Sequence, residues 1–318
     1  MSSQVFVSMT HPFSDSRISR PELVAWGLLL IAPALFCSNM IMARAMVGIL
    51  PPISMAFLRW SVVALVLAVF CSRELRTKHQ DLRREWPHLL FLGSLGMGLC
   101  GGPVYLGGEL TTATNIGLIY ASCPLFVALF AALFLKEQLH LGQIAGLIIG
   151  LFGVIWIIAE GAPSRLVRLS FNTGDLWICL ATLSFAIYSV GLRHFPTRLS
   201  ATLRLAAMAA GGALCHLPFM AAELTLWGRE IILRPEVFAG LAVLVFISSI
   251  GAYATYGQVV RVLGAVRAGV ILYIAPVYNA VFAMVLLGEM LTDFHLVGSA
   301  LILPGLWLVG RGHNSQRA

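Results

Sequence analysis

Charge is what this sequence holds least of. Only 11% of its 318 residues are Asp, Glu, Lys or Arg, where a soluble globular domain carries roughly a quarter. With 59% hydrophobic residues and a mean hydropathy of +0.88, too little polar surface exists to cover a particle in water. Acidic residues are missing from the middle third of every long apolar run; Glu22, Glu109, Glu160 and Asp175 all stand near run ends. The intramembrane carboxylate that proton or sodium coupling usually employs is therefore lacking. No GxxxxGK[ST] phosphate loop occurs, which excludes ATP-driven work by this chain. HExxH, GxSxG and paired-cysteine metal motifs are absent too, so neither enzyme activity nor a cofactor is expected. The six cysteines (Cys37, Cys71, Cys100, Cys123, Cys179 and Cys215) show no CxxC spacing and sit in or beside apolar runs, as small buried hydrophobes do. The net charge of +7 does not imply nucleic acid, because the basic residues are scattered among loops rather than drawn into a stripe with exposed aromatics.

What is present is a series of ten apolar segments, at about 23–43, 53–71, 88–106, 114–135, 142–160, 175–193, 201–222, 238–260, 268–287 and 295–310. Each suits a spanning helix of about 20 residues, the last being short. Pro51-Pro52, Gly107-Gly108 and Gly161–Pro163 punctuate them, and Arg73–Glu85 is the one strongly charged loop. Residues 1–21 lack the apolar core of a cleaved signal peptide and read as a disordered cytosolic tail, with a second short tail at 311–318.

A repeat organises these segments. Asn115–Gly153 returns 152 positions later as Arg267–Gly305: Gly117 falls on Gly269, Pro124 on Pro276, Glu137 on Glu289, Gly146 on Gly298 and Gly153 on Gly305. Two five-helix units follow, 22–160 and 175–310. With both termini inside, Lys and Arg are concentrated on the inner side, in keeping with the positive-inside rule. Five is odd, so the second unit enters the membrane the opposite way, as inverted-repeat transporters do. The expected fold is an all-α polytopic membrane protein of ten transmembrane helices, a five-plus-five inverted repeat around a central cavity in the lipid bilayer.

Polar side chains inside spans should face the bundle. The candidates for lining a substrate cavity are Ser38 and Asn39 on helix 1, Tyr105 on helix 3, Asn115, Tyr120 and Ser122 on helix 4, and Tyr188 and Ser189 on helix 6. Helix 8 adds Ser249, Tyr253 and Tyr256, and helix 9 adds Tyr273 and Asn279. Helices 5 and 10, with few polar groups, are expected to be structural. Pro124 and Pro276 free backbone carbonyls inside helices 4 and 9, as a cavity-lining hinge or as a packing bend. Gly142, Gly146 and Gly150 form a small-residue face on helix 5 for close packing. Glu137 and Glu289 precede helices 5 and 10 and read as structural carboxylates near helix N-termini. Arg59, about 9 Å into helix 2, is a structural snorkelling anchor or a contact for a substrate carboxylate; Arg204, its apparent repeat mate, favours the anchor for both. His216 is a proton carrier or an interfacial polar residue.

On these grounds the chain resembles the EamA-type members of the drug/metabolite transporter superfamily, from about Glu22 to Gly310. The resemblance rests on the ten helices, the inverted repeat, Pro124 and Pro276, the segments Leu135–Gln138 and Leu287–Met290, and Arg59 early in helix 2. Where the family often carries a tryptophan in helix 1, this chain has Phe36-Cys37-Ser38-Asn39. The resemblance implies a secondary transporter of the bacterial inner membrane that moves a small-molecule substrate by alternating access, with export of an amino acid or similar amphipathic metabolite as the expected reaction. A cavity of Tyr, Ser and Asn without fixed charge suits such a zwitterion. The alternatives are a multidrug or other-metabolite carrier, an importer or an exchanger and, outside transport, a membrane scaffold or enzyme. The sequence carries no signal for oligomeric state.

Overall fold

The computed structural model describes residues 20–46, 48–167, 169–232, 234–287, 290 and 292–311. The expected tails and Glu289 lie outside them, except that Arg20 and Pro21 already belong to the first helix and Arg311 to the last.

Ten helices among the described residues are long and apolar enough to cross a membrane. They are α1 (Arg20–Asn39), α2 (Pro52–Phe70), α3 (His79–Leu110), α4 (Ala113–Phe134), α5 (Leu141–Ile158), α6 (Thr173–His194), α7 (Ala201–Thr225), α8 (Pro235–Leu263), α9 (Ala265–Phe282) and α10 (Asp293–Gly310). Large apolar side chains are exposed along their outer faces, among them Leu65, Leu133, Phe152, Leu176 and Phe246. Lipid, not water, is the solvent that accommodates such a surface. The protein is a multi-pass membrane protein.

Local chemistry sets the helix starts. Thr112 and Ser200 cap α4 and α7 by accepting from backbone N–H groups three residues on. Asn172 and Asp175 form a reciprocal capping box on α6. The charged stretch after α2 departs from the expected loop. Ser72–Thr77 is a short helix and α3 already begins at His79, because Leu75, Leu82 and Trp86 turn inward onto the core at helical spacing.

Two spans carry a wider coil. Ser94–Leu99 within α3 and Val243–Gly251 within α8 are π-helical. Under the 152-residue shift Leu99 falls on Gly251, so the two segments end at matched positions. A π turn leaves carbonyls without their i+4 partner and is common at functional sites.

Helices α5 and α10 cross through glycines. A Cβ on Gly146 would stand 2.5 Å from the Gly305 carbonyl oxygen, and one on Gly153 would stand 2.7 Å from that of Gly298. Gly146 and Gly298 are repeat mates, as are Gly153 and Gly305. Each residue therefore meets the mate of the other, the pattern of a self-complementary two-fold contact. Gly150 instead faces the Tyr273 ring of α9. Gly142 does not belong to this face: it is exposed, with nothing within 4 Å of its Cβ direction. A stripe at four-residue steps drifts around a helix of 3.6 residues per turn, and Gly153 takes the place expected of Gly142.

The two prolines are not equivalent. The α4 coil breaks at Ser122, and Pro124 opens the segment that follows. Pro276 lies inside the continuous helix Ile271–Leu287, and α9 breaks at Val270 instead.

A buried polar cluster around Arg59

The α2 helix starts at Pro52, whose ring suits a first turn. Seven residues on, about 10 Å along the axis, it carries Arg59 into the interior with 2% of its surface exposed. The guanidinium donates through Nη1 to Asn39 Oδ1 on α1 and to the Tyr105 hydroxyl on α3, each at 2.6 Å. Its Nε donates to Ser249 Oγ, and Nη2 donates to the Ser248 carbonyl at 3.0 Å. Ser248 and Ser249 belong to the π segment of α8, where Ser249 Oγ donates back five residues to the Leu244 carbonyl. The Tyr105 hydroxyl also donates to Asn39 Oδ1 at 2.7 Å, and Ser38 Oγ lies 2.6 Å from Ser248 Oγ. Helices of both repeats thus meet at one cationic group.

This placement corrects two sequence-level expectations. Arg59 does not snorkel to an interface, because four internal acceptors hold it inside the bundle. The polar interior is not free of fixed charge, since Arg59 stands in it. The likeness to Arg204 does not extend to surroundings: Arg204 donates to the Leu192 and Phe195 carbonyls at the end of α6.

Aromatic rings pack beside the cluster. The Arg59 Cζ sits 4.7 Å from the Trp60 ring centroid. Tyr253 meets Trp60 edge-on at 5.0 Å and Phe36 at 5.4 Å, and Tyr188 lies 6.0 Å from Tyr253. Tyr256 packs on Phe185 at 5.2 Å and donates to Ser189 Oγ at 2.7 Å. The Tyr253 hydroxyl donates to the Gly96 carbonyl at 2.7 Å, inside the π segment of α3. Gly96 and Ser248 are matched by the 152-residue shift. Each repeat therefore offers a π-segment carbonyl at the same place, one accepting from Tyr253 and the other from Arg59. Trp60 Nε1 and the Tyr273 hydroxyl are buried without a hydrogen-bond partner among the described residues.

Of the residues expected to line a cavity, Ser38, Asn39, Tyr105 and Ser249 join the Arg59 cluster, and Tyr188, Ser189, Tyr253 and Tyr256 join the adjoining aromatic network. Tyr120 and Ser122 are half-buried on α4, Ser122 bonding to the Ile119 carbonyl of its own turn. Asn279 is exposed on α9. Asn115 lies elsewhere: its amide donates to Asp175 at 3.0 Å and to the Ser170 carbonyl, fastening α4 to the start of α6. Thr111 donates to the same carboxylate. His216 holds backbone rather than a proton path. One ring nitrogen accepts from Gly102 N–H at 2.9 Å and the other faces the Gly212 carbonyl at 2.8 Å, which assigns a neutral ring protonated at Nδ1. Glu137 is not at the α5 N-terminus, which His140 and Gln143 cap; it stands 3.5 Å from Arg193 Nη1.

Sequence reasoning missed Glu223 altogether. It is fully buried near the end of α7, and its carboxylate accepts from the backbone N–H groups of Ile53 and Ser54 and from Ser54 Oγ. The available signal was a carboxylate in an apolar run together with a helix start, Pro51-Pro52, that lacks a side-chain cap of its own.

Comparison with known proteins follows the two halves. The EamA-like transporter family matches at residues 24–159 and again at 172–311. An uncharacterized transporter of Bacillus subtilis, YyaM, is 25% identical over 268 residues, covering 83% of this chain and 86% of that one. A probable amino-acid metabolite efflux pump of Salmonella typhimurium is 24% identical over 317 residues, covering 95% of this chain and 97% of that one. A solved crystal structure superposes with a TM-score of 0.71 at 20% identity, covering 91% of this chain and 97% of that one.

Proposed function

Because the chain belongs to the EamA-like transporter family, matched across both halves, we propose that it exports an amino acid or a similar small amphipathic metabolite by alternating access. The membrane is the bacterial inner membrane, with both termini cytoplasmic. The carrying observation is the convergence of Asn39, Arg59 and Tyr105 from the first repeat with Ser248 and Ser249 from the second on one buried point. Rocking of one repeat against the other must remake those bonds, which is where alternating-access carriers keep their substrate. The neighbouring Phe36, Trp60 and Tyr253 rings suit an apolar side chain beside polar groups. Tyr120, Ser122 and Tyr273 complete the lining on this reading, and the break before Pro124 supplies a hinge. The full length shared with a relative named as an amino-acid metabolite efflux pump supports the substrate class.

The test is uptake by purified protein in sealed liposomes, run with each of the twenty amino acids under counterflow. Exchange of at least one of them is expected. If none crosses while the protein is folded, the amino-acid assignment falls.

A further inference from the structure

Among the described residues Arg59 has four partners, and none is a carboxylate. Acidic side chains around the bundle are engaged elsewhere: Glu109 with Arg229, Glu137 with Arg193, Asp175 with Asn115, and Glu223 with the start of α2. A guanidinium at membrane depth that meets only neutral acceptors keeps an unbalanced charge, and such charges mark substrate or ion paths. Beside it, Trp60 is 1% exposed and its indole N–H is buried without an acceptor among the described residues. A cation and an orphan donor thus lie on adjacent residues, with the guanidinium over the indole ring. The repeat mate differs in its surroundings: Arg204 also has an unpaired Nε among the described residues, but the helix-end carbonyls of Leu192 and Phe195 bring a negative dipole to its charge.

We propose that Arg59 is the carboxylate acceptor of the transported molecule, with the Trp60 indole N–H as a second donor. The assignment rests on the transport reading above and narrows its substrates to molecules bearing a carboxylate. Binding exchanges partners at small cost. When the guanidinium turns its parallel N–H groups to a carboxylate, Tyr105 still donates to Asn39, and Ser249 still donates to Leu244. Only the Ser248 carbonyl depends on Arg59 itself, and Nη2 carries a second N–H that keeps that bond while the first turns to the ligand. The ligand removes the charge imbalance that the empty cluster carries.

A free amino acid and a simple carboxylic acid share this chemistry, and the experiment separates them. Wild-type full-length protein in liposomes is offered phenylalanine and leucine, their amides or esters blocked at the carboxylate, and the matching acids without the amino group. The acids are expected to cross at least tenfold faster than the blocked forms, about the effect of one charged hydrogen bond. Arg59→Gln is expected to raise KM for the acid about tenfold while leaving the blocked form unchanged, and Arg59→Lys to recover part of the loss. A blocked amino acid that moves as fast as its parent overturns the inference and leaves amino-acid export standing. A deaminated acid that moves in an Arg59-dependent way while no amino acid moves keeps the inference and removes the amino-acid reading. If Arg59→Gln does not fold, the comparison of acid with blocked form on the wild-type protein decides alone. Failure of every acid both to cross and to raise the melting temperature of the solubilised protein also overturns it.

Discussion

The carboxylate of Glu223 closes the first turn of α2 through Ser54, accepting from its backbone N–H at 2.7 Å and from its hydroxyl at 2.8 Å. Ile53 N–H reaches the other oxygen at 3.1 Å. A helix that begins with Pro51-Pro52 has no side-chain cap of its own, and here another helix supplies one. The same turn leads to Arg59, so the cap sets the pitch at which the arginine arrives.

Glu223→Ala should leave two buried N–H groups unpaired and cost about 2–4 kcal/mol at roughly 1–2 per donor. Ser54→Ala removes one hydroxyl and should cost only about 1 kcal/mol. Melting of the purified protein in detergent, followed by circular dichroism, measures both. Equal small shifts for the two variants would mean that the cap carries no weight.

The glycine crossing makes a sharper contrast. Gly146→Ala and Gly153→Ala each push a methyl onto a carbonyl of α10 and should cost about 1–3 kcal/mol, the usual range for overpacking. Gly142→Ala meets nothing and should be neutral or stabilise by up to about 1 kcal/mol through helix propensity. The three variants are ranked by melting temperature and by folded yield. Gly142→Ala falling alongside the other two would refute the assignment of the face.

These two sites also show what could be read from the sequence and what could not. The ten spans and the repeat were legible because hydrophobic runs and a fixed spacing survive in one dimension. The glycine face was half legible: Gly146 and Gly150 were placed, while Gly142 stood where Gly153 belongs, since a four-residue step does not follow a single face for long. Arg59 could be located along its helix but not around it. Whether an arginine snorkels or turns inward depends on acceptors 20 to 190 residues away. The π segments left no trace, because one added residue per turn does not alter a uniformly apolar pattern. Glu223 stood out as a carboxylate in an apolar run, but its partner was invisible for the same reason as the bonds of Arg59, being a backbone turn on another helix.

At the opposite end of α2, Glu74 accepts from the Ser200 backbone N–H at 2.9 Å and from the Ser200 hydroxyl, joining the turn after α2 to the start of α7. Partial burial pushes its carboxyl upward, but the Ser200 bonds and Lys78 outweigh that and hold it below the usual carboxylate value. A depressed folded-state pKa contributes stability above the unfolded value and loses it as pH falls through the folded one. The melting temperature of the wild type should therefore drop on acidification below the ordinary carboxylate range. Glu74→Gln should flatten that part of the profile. Superimposable profiles for the two proteins would remove Glu74 from the account.

The paired carbonyls of the two π segments yield the last expectation. Gly96 O receives the Tyr253 hydroxyl and Ser248 O receives Arg59, at positions matched by the repeat. The first bond ties α8 to α3 across the boundary between repeats, yet Tyr253 adds no charge to which a carboxylate could bind. Loss of its hydroxyl should alter how readily the repeats move rather than how tightly an acid is held. Tyr253→Phe keeps the ring contacts with Trp60 and Phe36 and leaves one carbonyl unpaired, a stability cost of about 1 kcal/mol. Its transport rate at saturating acid should change several-fold while KM stays within about twofold, the reverse of the split expected for Arg59→Gln. Initial rates in liposomes over a range of acid concentrations separate the two. A Tyr253→Phe protein with raised KM and unchanged maximal rate would place its hydroxyl in the binding site and not in the link between the halves.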